Sequence, residues 1–145
     1  MTTIAYRDGV IAADSQCDSG DFRDCTAIKV ARNDRGDLCG AAGDLPTAQR
    51  VLAWFEAGEK GDEPRYRKEE ANGEGFIVRR DGSIEIMDDG GHYTIKASYY
   101  ATGSGRKFAL GAMAAGATAE QAVEAAMKHD IYTGGEIVTH ARDAE

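Results

Sequence analysis

Asp8-Gly9 stands between two short β-prone runs, residues 3–7 and 10–13, and Asp81-Gly82 stands between two more, residues 76–80 and 83–87. Asp-Gly is a strong two-residue hairpin signal, because its backbone accepts the positive φ angles of a tight turn that matches strand twist. A third pair of runs, residues 26–32 and 37–42, flanks the turn Asn33-Asp34-Arg35-Gly36. Hairpins join antiparallel neighbours, so the sheets of this chain are expected to be mostly antiparallel. Residues 98–102 and 136–140 read as further short strands, and the polar segment 15–25 reads as irregular.

Helices fall in blocks between the strands. Asp44 is placed as an N-cap with Pro46 in the first turn, where proline is tolerated. Ala48, Val51, Leu52 and Phe55 follow at i, i+3, i+4 and i+7, which is one helical face ending near Gly58. Residues 59–73 are charged and turn-rich and read as a surface loop. A second helix is expected over 106–115, closed by Gly116. Thr118-Ala119-Glu120-Gln121 is a capping box that opens a third, with Ala119, Ala122, Val123 and Ala126 on one face. Hairpin sheets alternating with helix blocks predict a layered α+β arrangement, two stacked sheets covered by helices.

The 145 residues suit a single domain spanning 1–145. A net charge of -8 argues against a nucleic-acid surface, which needs clustered Lys and Arg. Ala and Gly supply much of the apolar content, so apolar area per residue is modest and burial in an oligomer interface is expected. Cys17, Cys25 and Cys39 form an odd set without a CxxC pair, which points away from a disulfide framework and toward a reducing compartment. The start MTTIAYRDG lacks a basic stretch and an apolar h-region, and no apolar run reaches the roughly 20 residues that span a bilayer. The expectation is a cytoplasmic protein that engages neither membrane nor nucleic acid. His92, His129 and His140 are widely spaced and read as surface residues rather than metal ligands.

Thr2 follows Met1, and methionine is trimmed before small residues such as threonine. Trimming would place a hydroxyl and a free α-amine on one residue. The amine, with a reference pKa of about 7.7–8.0, is a base able to activate the hydroxyl. A Met-Thr start alone is a weak signal; the ordered pattern behind it carries the argument.

That pattern resembles the proteasome β-subunit family, and its HslV-like members in particular. TTIAYRDGVIAADSQ is similar to the family's first hairpin, with Asp14 where the family keeps an aspartate. Ile28-Lys29-Val30 matches the strand carrying the active-site lysine, and Cys39-Gly40-Ala41-Ala42-Gly43 the glycine-bearing strand end before the first helix. Tyr100-Ala101-Thr102-Gly103-Ser104-Gly105 matches the GSG turn, and Asp130-Ile131-Tyr132-Thr133-Gly134-Gly135 resembles the D-x-x-S/T-G-G segment. The matches keep the family's order over nearly the whole chain.

The resemblance implies a four-layer αββα sandwich, the N-terminal-nucleophile (Ntn) hydrolase fold, and a threonine endopeptidase. Thr2 would be the nucleophile, Lys29 a cation that favours the deprotonated hydroxyl and amine, and Asp14 the partner that aims it. Gly40 N–H would be the oxyanion donor, and Ser104 and Asp130 would position the amine. No cofactor is required for peptide hydrolysis; a structural Na+ or Mg2+ ion would sit on carbonyls of Met127, Asp130 and Thr133. The implied partners are a peptide or unfolded protein substrate, copies of the chain in a homo-oligomeric ring, and an AAA+ ATPase. Residues 59–73 lack an apolar stripe where the family has a second long helix, which puts ring stacking and ATPase binding in question. The same nucleophile logic would serve a small-amide Ntn hydrolase, and a chain that keeps Met1 would be a non-catalytic assembly protein.

Overall fold

The structure is a computed structural model that describes residues 2–19, 22–69 and 73–143. A four-stranded antiparallel sheet has the order β10-β1-β2-β11, where β1 is Thr3–Arg7, β2 Val10–Ala13, β10 Tyr99–Gly103 and β11 Val138–Ala141. A five-stranded antiparallel sheet runs β5 (Val30–Arg32), β6 (Leu38–Ala42), β7 (Glu74–Val78), β8 (Ile84–Asp88), β9 (Gly91–Ile95). The two sheets meet through Ile4, Tyr6 and Ile11 on one side and Val30, Leu38, Phe76 and Ile86 on the other. Helix α1 (Leu45–Glu56) covers the outside of the five-stranded sheet with Val51, Leu52 and Phe55. Helices α2 (Arg106–Ala114) and α3 (Ala119–His129) cover the four-stranded sheet with Ala109, Met113, Ala122 and Val123. The αββα layering expected from the hairpin pattern is therefore present.

The helix signals act as expected. Asp44 accepts a hydrogen bond from Thr47 N–H, and Thr118 and Gln121 form the reciprocal capping box. Small side chains on α3 let it lie close against β1 and β2, where Ala5 and Ala12 are also small.

Three sequence expectations are corrected. Residues 26–32 are not one strand: the chain leaves a strand at Thr26 and re-enters one at Val30. Residues 15–25 are not irregular, because β3 (Gln16–Ser19) and β4 (Phe22–Thr26) form a separate two-stranded hairpin. Its register sets Cys17 opposite Cys25 with Cα atoms 5.0 Å apart, and their sulfurs are bonded. The odd cysteine count concealed one cross-strand pair plus one buried free thiol, Cys39. The cysteines therefore no longer argue for a reducing compartment. Strand β9 was not foreseen; it is an exposed edge whose Thr94 and Tyr93 pair with Glu85 and Ile86.

Residues 57–69 hold no helix. They are fastened by charge instead. Arg79 binds Glu59 with two nitrogens, at 2.6 and 2.8 Å, and Glu85 with two more contacts. His92 bridges Glu63 and Glu85 at 2.6 and 2.8 Å. Among the described residues no helix is long and apolar enough to cross a membrane.

Gly40 lies where Ile4 and Ile11 of the facing sheet press directly on β6. A methyl group at its α-carbon would lie 2.7 Å from Ile4 Cγ2 and 3.3 Å from Ile11 Cδ1. Gly40→Ala should lower stability by about 1–3 kcal/mol, the usual cost of overfilling a packed core. Urea denaturation beside the parent measures this, and an unchanged midpoint would refute the close contact.

Candidate active site

Thr2 sits just before β1, and β1 lies between β10 and β2. That placement surrounds the start of the chain with two loops. The β10–α2 turn, Gly103-Ser104-Gly105, passes on one side. Thr2 N–H donates to Ser104 Oγ at 3.1 Å, and Gly105 N–H donates to the Thr2 carbonyl at 3.3 Å. The two glycines are there for space. A Cβ at Gly103 would lie 2.1 Å from the Thr2 carbonyl oxygen, and one at Gly105 would lie 1.9 Å from Thr3 Oγ1.

The turn after α3 closes the other side. Ser104 Oγ lies 2.6 Å from Asp130 Oδ2 and Thr133 Oγ1 lies 2.6 Å from the same oxygen. An ionised carboxylate only accepts, so both hydroxyl protons point at Asp130. Thr3 Oγ1, 2.7 Å from Thr133 Oγ1, must then donate to it. Burial pushes the Asp130 pKa up, but hydrogen bonds from Ser104, Thr133 and the Tyr132 amide outweigh it and hold the carboxyl below the usual aspartate value.

Lys29 reaches the same place from the opposite sheet. Ile28 is 62% exposed while Lys29 is 6% exposed, so the lysine is the inward-facing member of its segment. Its Nζ lies 2.9 Å from Asp14 Oδ1. That oxygen also accepts Thr3 N–H at 3.1 Å, so the ammonium is no further than about 6.0 Å, the sum of those distances, from the Thr3 amide. Asp14 Oδ2 accepts Gly134 N–H at 3.0 Å. The segment 130–134 thus serves both carboxylates, Asp130 directly and Asp14 through Gly134.

Thr2, Asp14, Lys29, Ser104 and Asp130, picked from the sequence, are brought together. Gly40 is not placed for its expected role. Ala41 N–H donates to the Lys29 carbonyl at 3.1 Å. Successive residues of a strand turn their amides to opposite sides, so Gly40 N–H faces β7 and belongs to the ladder. Thr3, the Thr133 hydroxyl and Gly134 N–H were missed. The signal available for them was position alone, next to Thr2 and three and four residues after Asp130.

The carbonyls of Met127, Asp130 and Thr133 lie around the end of α3. The Asp130 carbonyl already accepts Thr133 N–H at 3.1 Å. Among the described residues no group of three or more His, Cys, Asp or Glu side chains could hold a metal. A cation here would rest on backbone oxygens, one of them already closing a turn.

No sequence-family model and no curated protein matches the chain. Solved structures do. The chain is similar to Thiobacillus denitrificans BPH in complex with epoxomicin, with a TM-score of 0.67 and 20% identity over 96% of both chains. It is similar to eukaryotic HslV from Trypanosoma brucei, with a TM-score of 0.69 and 19% identity over 96% of this chain and 97% of that one. This is the HslV-type Ntn-hydrolase fold. At such identities the likeness establishes the fold; the chemistry rests on the residues.

In this HslV-type fold the Asp130 carboxylate tightens the start of β1 only when ionised. Its folded pKa lies below the unfolded reference of about 3.9, so its stabilisation is full above that pH and is lost as pH falls through the folded value. Asp130→Asn should be less stable than the parent at pH 6, and the gap should narrow below about pH 4. Thermal denaturation of both proteins across pH reads this; a gap independent of pH would contradict it.

Proposed function

We propose that this chain is a threonine-type endopeptidase subunit of a self-compartmentalising, HslV- and proteasome-like protease. The observation that carries the reading is one hydrogen-bonded network, buried around Asp14 and half-buried at Ser104. It joins the backbone nitrogen of Thr2 to Ser104 and Asp130, and the adjoining Thr3 amide to Asp14 and Lys29.

The chemistry follows from loss of Met1, which converts Thr2 N from an amide into an amine. Ser104 Oγ, 3.1 Å from that nitrogen, holds it in place. The amine accepts the proton of the Thr2 hydroxyl, directly or through a water, as the oxygen attacks a peptide carbonyl. Lys29, kept charged and aimed by Asp14, offsets the negative charge that develops on the hydroxyl oxygen. The protonated amine then gives its proton to the departing peptide nitrogen, leaving an ester on Thr2. Water, activated by the same amine, hydrolyses the ester and restores the residue. The oxyanion needs an N–H other than that of Gly40, which is committed to β7. A Na+ or Mg2+ ion on the 127–133 carbonyls would brace the turn and takes no part in these steps.

Peptides or unfolded chains are the proposed substrates and a homo-oligomeric ring the proposed assembly. The fold of the HslV and BPH neighbours supports both. An AAA+ partner has less support, because residues 57–69 provide no helix beside α1.

Thr2→Ala should reduce peptide hydrolysis by about 10⁴-fold or more while leaving thermal stability near the parent's. A peptide epoxyketone, which needs both the hydroxyl and the free amine, should add to Thr2 in the parent and be found there by mass mapping. A trimmed Thr2→Ala protein cleaving at the parent rate would defeat the mechanism. A parent that keeps Met1 and takes no probe would instead identify a non-catalytic relative.

A further inference from the structure

Thr3 is wholly buried, and each of its polar groups is bonded within the site. Its N–H donates to Asp14 Oδ1 at 3.1 Å, and its carbonyl accepts the Asp14 N–H at 3.3 Å. Its hydroxyl lies 2.7 Å from Thr133 Oγ1, the sole hydrogen-bond partner of that hydroxyl among the described residues. The direction of the proton is set from the far side. Asp130 takes the Thr133 proton at 2.6 Å, so Thr133 can only accept from Thr3. A Cβ on Gly105 would lie 1.9 Å from Thr3 Oγ1 and 3.2 Å from Asp130 Oδ2. A bare α-carbon therefore covers the hydroxyl and leaves no room for water on that side.

These contacts close a ring. From the Thr2 nitrogen they run to Ser104 Oγ at 3.1 Å, from Ser104 to Asp130 Oδ2 at 2.6 Å, from Asp130 to Thr133 at 2.6 Å, and from Thr133 to Thr3 at 2.7 Å. The peptide bond between Thr2 and Thr3 completes the circuit. Asp130 thus holds residue 2 from two directions, through space by way of Ser104 and along the chain by way of Thr3.

We propose that Thr3 is a positioning residue whose hydroxyl closes this ring and thereby fixes the Thr2 nitrogen against Ser104. The role concerns the free amine. Once Met1 is gone, nothing precedes residue 2, and its amine turns freely about the N–Cα bond. The amine must still give an N–H to Ser104 and aim its lone pair at the Thr2 hydroxyl. With the Thr3 link broken, residue 2 is held at its nitrogen alone and can tilt; with the ring closed it cannot. Misplacement of a reacting group by about 1 Å lowers a rate steeply. Thr3 itself touches neither substrate nor the reacting atoms and acts through Thr133, Asp130 and Ser104. Valine has its shape without the hydroxyl, so Thr3→Val isolates the link.

The test has two arms, of which the kinetic one rests on the protease reading. Thr3→Val and Thr3→Ser are compared with the parent by their reaction with a peptide epoxyketone, followed by mass. In Thr3→Val the rate constant at saturating probe should fall about tenfold, while the half-saturating concentration stays within about twofold of the parent's. Thr3→Ser keeps a hydroxyl and should react within about threefold of the parent rate. Partial unfolding would instead reduce the amount of protein labelled and leave the rate constant of the labelled fraction unchanged. The second arm needs no catalysis. It is urea denaturation of Thr3→Val, Ser104→Ala and the double variant. Members of one hydrogen-bonded network couple, so the unfolding constant of the double variant should depart about threefold or more from the product of the single effects. A Thr3→Val protein reacting at the parent rate, a Thr3→Ser protein as slow as Thr3→Val, or additive stabilities would overturn the assignment. A parent that takes no probe refutes the protease reading, and the stability coupling then decides by itself whether Thr3 closes the ring.

Discussion

The buried pair between Lys29 and Asp14 is the constraint around which this molecule is arranged. Neither group can be taken from water cheaply, and removing one partner of such a pair costs about 3–5 kcal/mol because the other is stranded. The fold meets that demand by completing the carboxylate's hydrogen bonds, with Thr3 N–H on one oxygen and Gly134 N–H on the other. Both sheets therefore take part in one polar cluster, since Lys29 immediately precedes β5 while Asp14 immediately follows β2. A hydrophobic pair of similar volume would hold the layers together equally well. What it would not do is fix a cation beside the first residues of β1.

Once the cation is in place, the remaining parts are matters of clearance. Gly103 and Gly105 let the β10–α2 turn lie directly on Thr2 and Thr3, and Gly40 lets Ile4 sink into β6. Above the interface, Glu74 accepts hydrogen bonds from Tyr100 and Thr102, a second polar link between the two sheets. Burial raises the Tyr100 pKa, and the Glu74 carboxylate raises it further, so the phenol stays protonated and remains the donor. The site end of the sandwich is thus closed by specific hydrogen bonds where most of the interface is closed by aliphatic packing.

Much of this was legible because it is local. Asp8-Gly9 and Asp81-Gly82 produce hairpins by their own backbone preferences, and the Thr118–Gln121 box caps α3 with atoms three residues apart. Lys29 was legible only through its neighbours in the ordered pattern, since a lone lysine between Ile28 and Val30 fits a solvated strand equally well. What stayed hidden depends on register. The amide of Gly40 faces β7 because of which residues β5 and β6 align, and no property of glycine reveals that. Thr133 looked like a source of a carbonyl; its hydroxyl became important only when the turn after α3 met Thr3. Strand β9 was overlooked because its residues are mostly exposed and show no apolar alternation.

The cysteine hairpin shows the same limit from the other direction. A two-stranded ribbon with polar residues has little to hold it in water and is marginal by itself. Here Gln16 Nε2 donates to the Ile131 carbonyl, and the Ser15 and Gln16 amides both reach the Gly134 carbonyl, so the base of the hairpin is fixed to the segment that serves Asp14 and Asp130. One residue further on, the Cys17–Cys25 bond supplies the order that an apolar face would otherwise provide. The cross-link stands three residues from Asp14, where misplacing the backbone would disturb the aspartate that aims Lys29. A covalent tie at that position is therefore better understood as protection of the site's geometry than as a general brace for the fold, whose three apolar clusters do not include it.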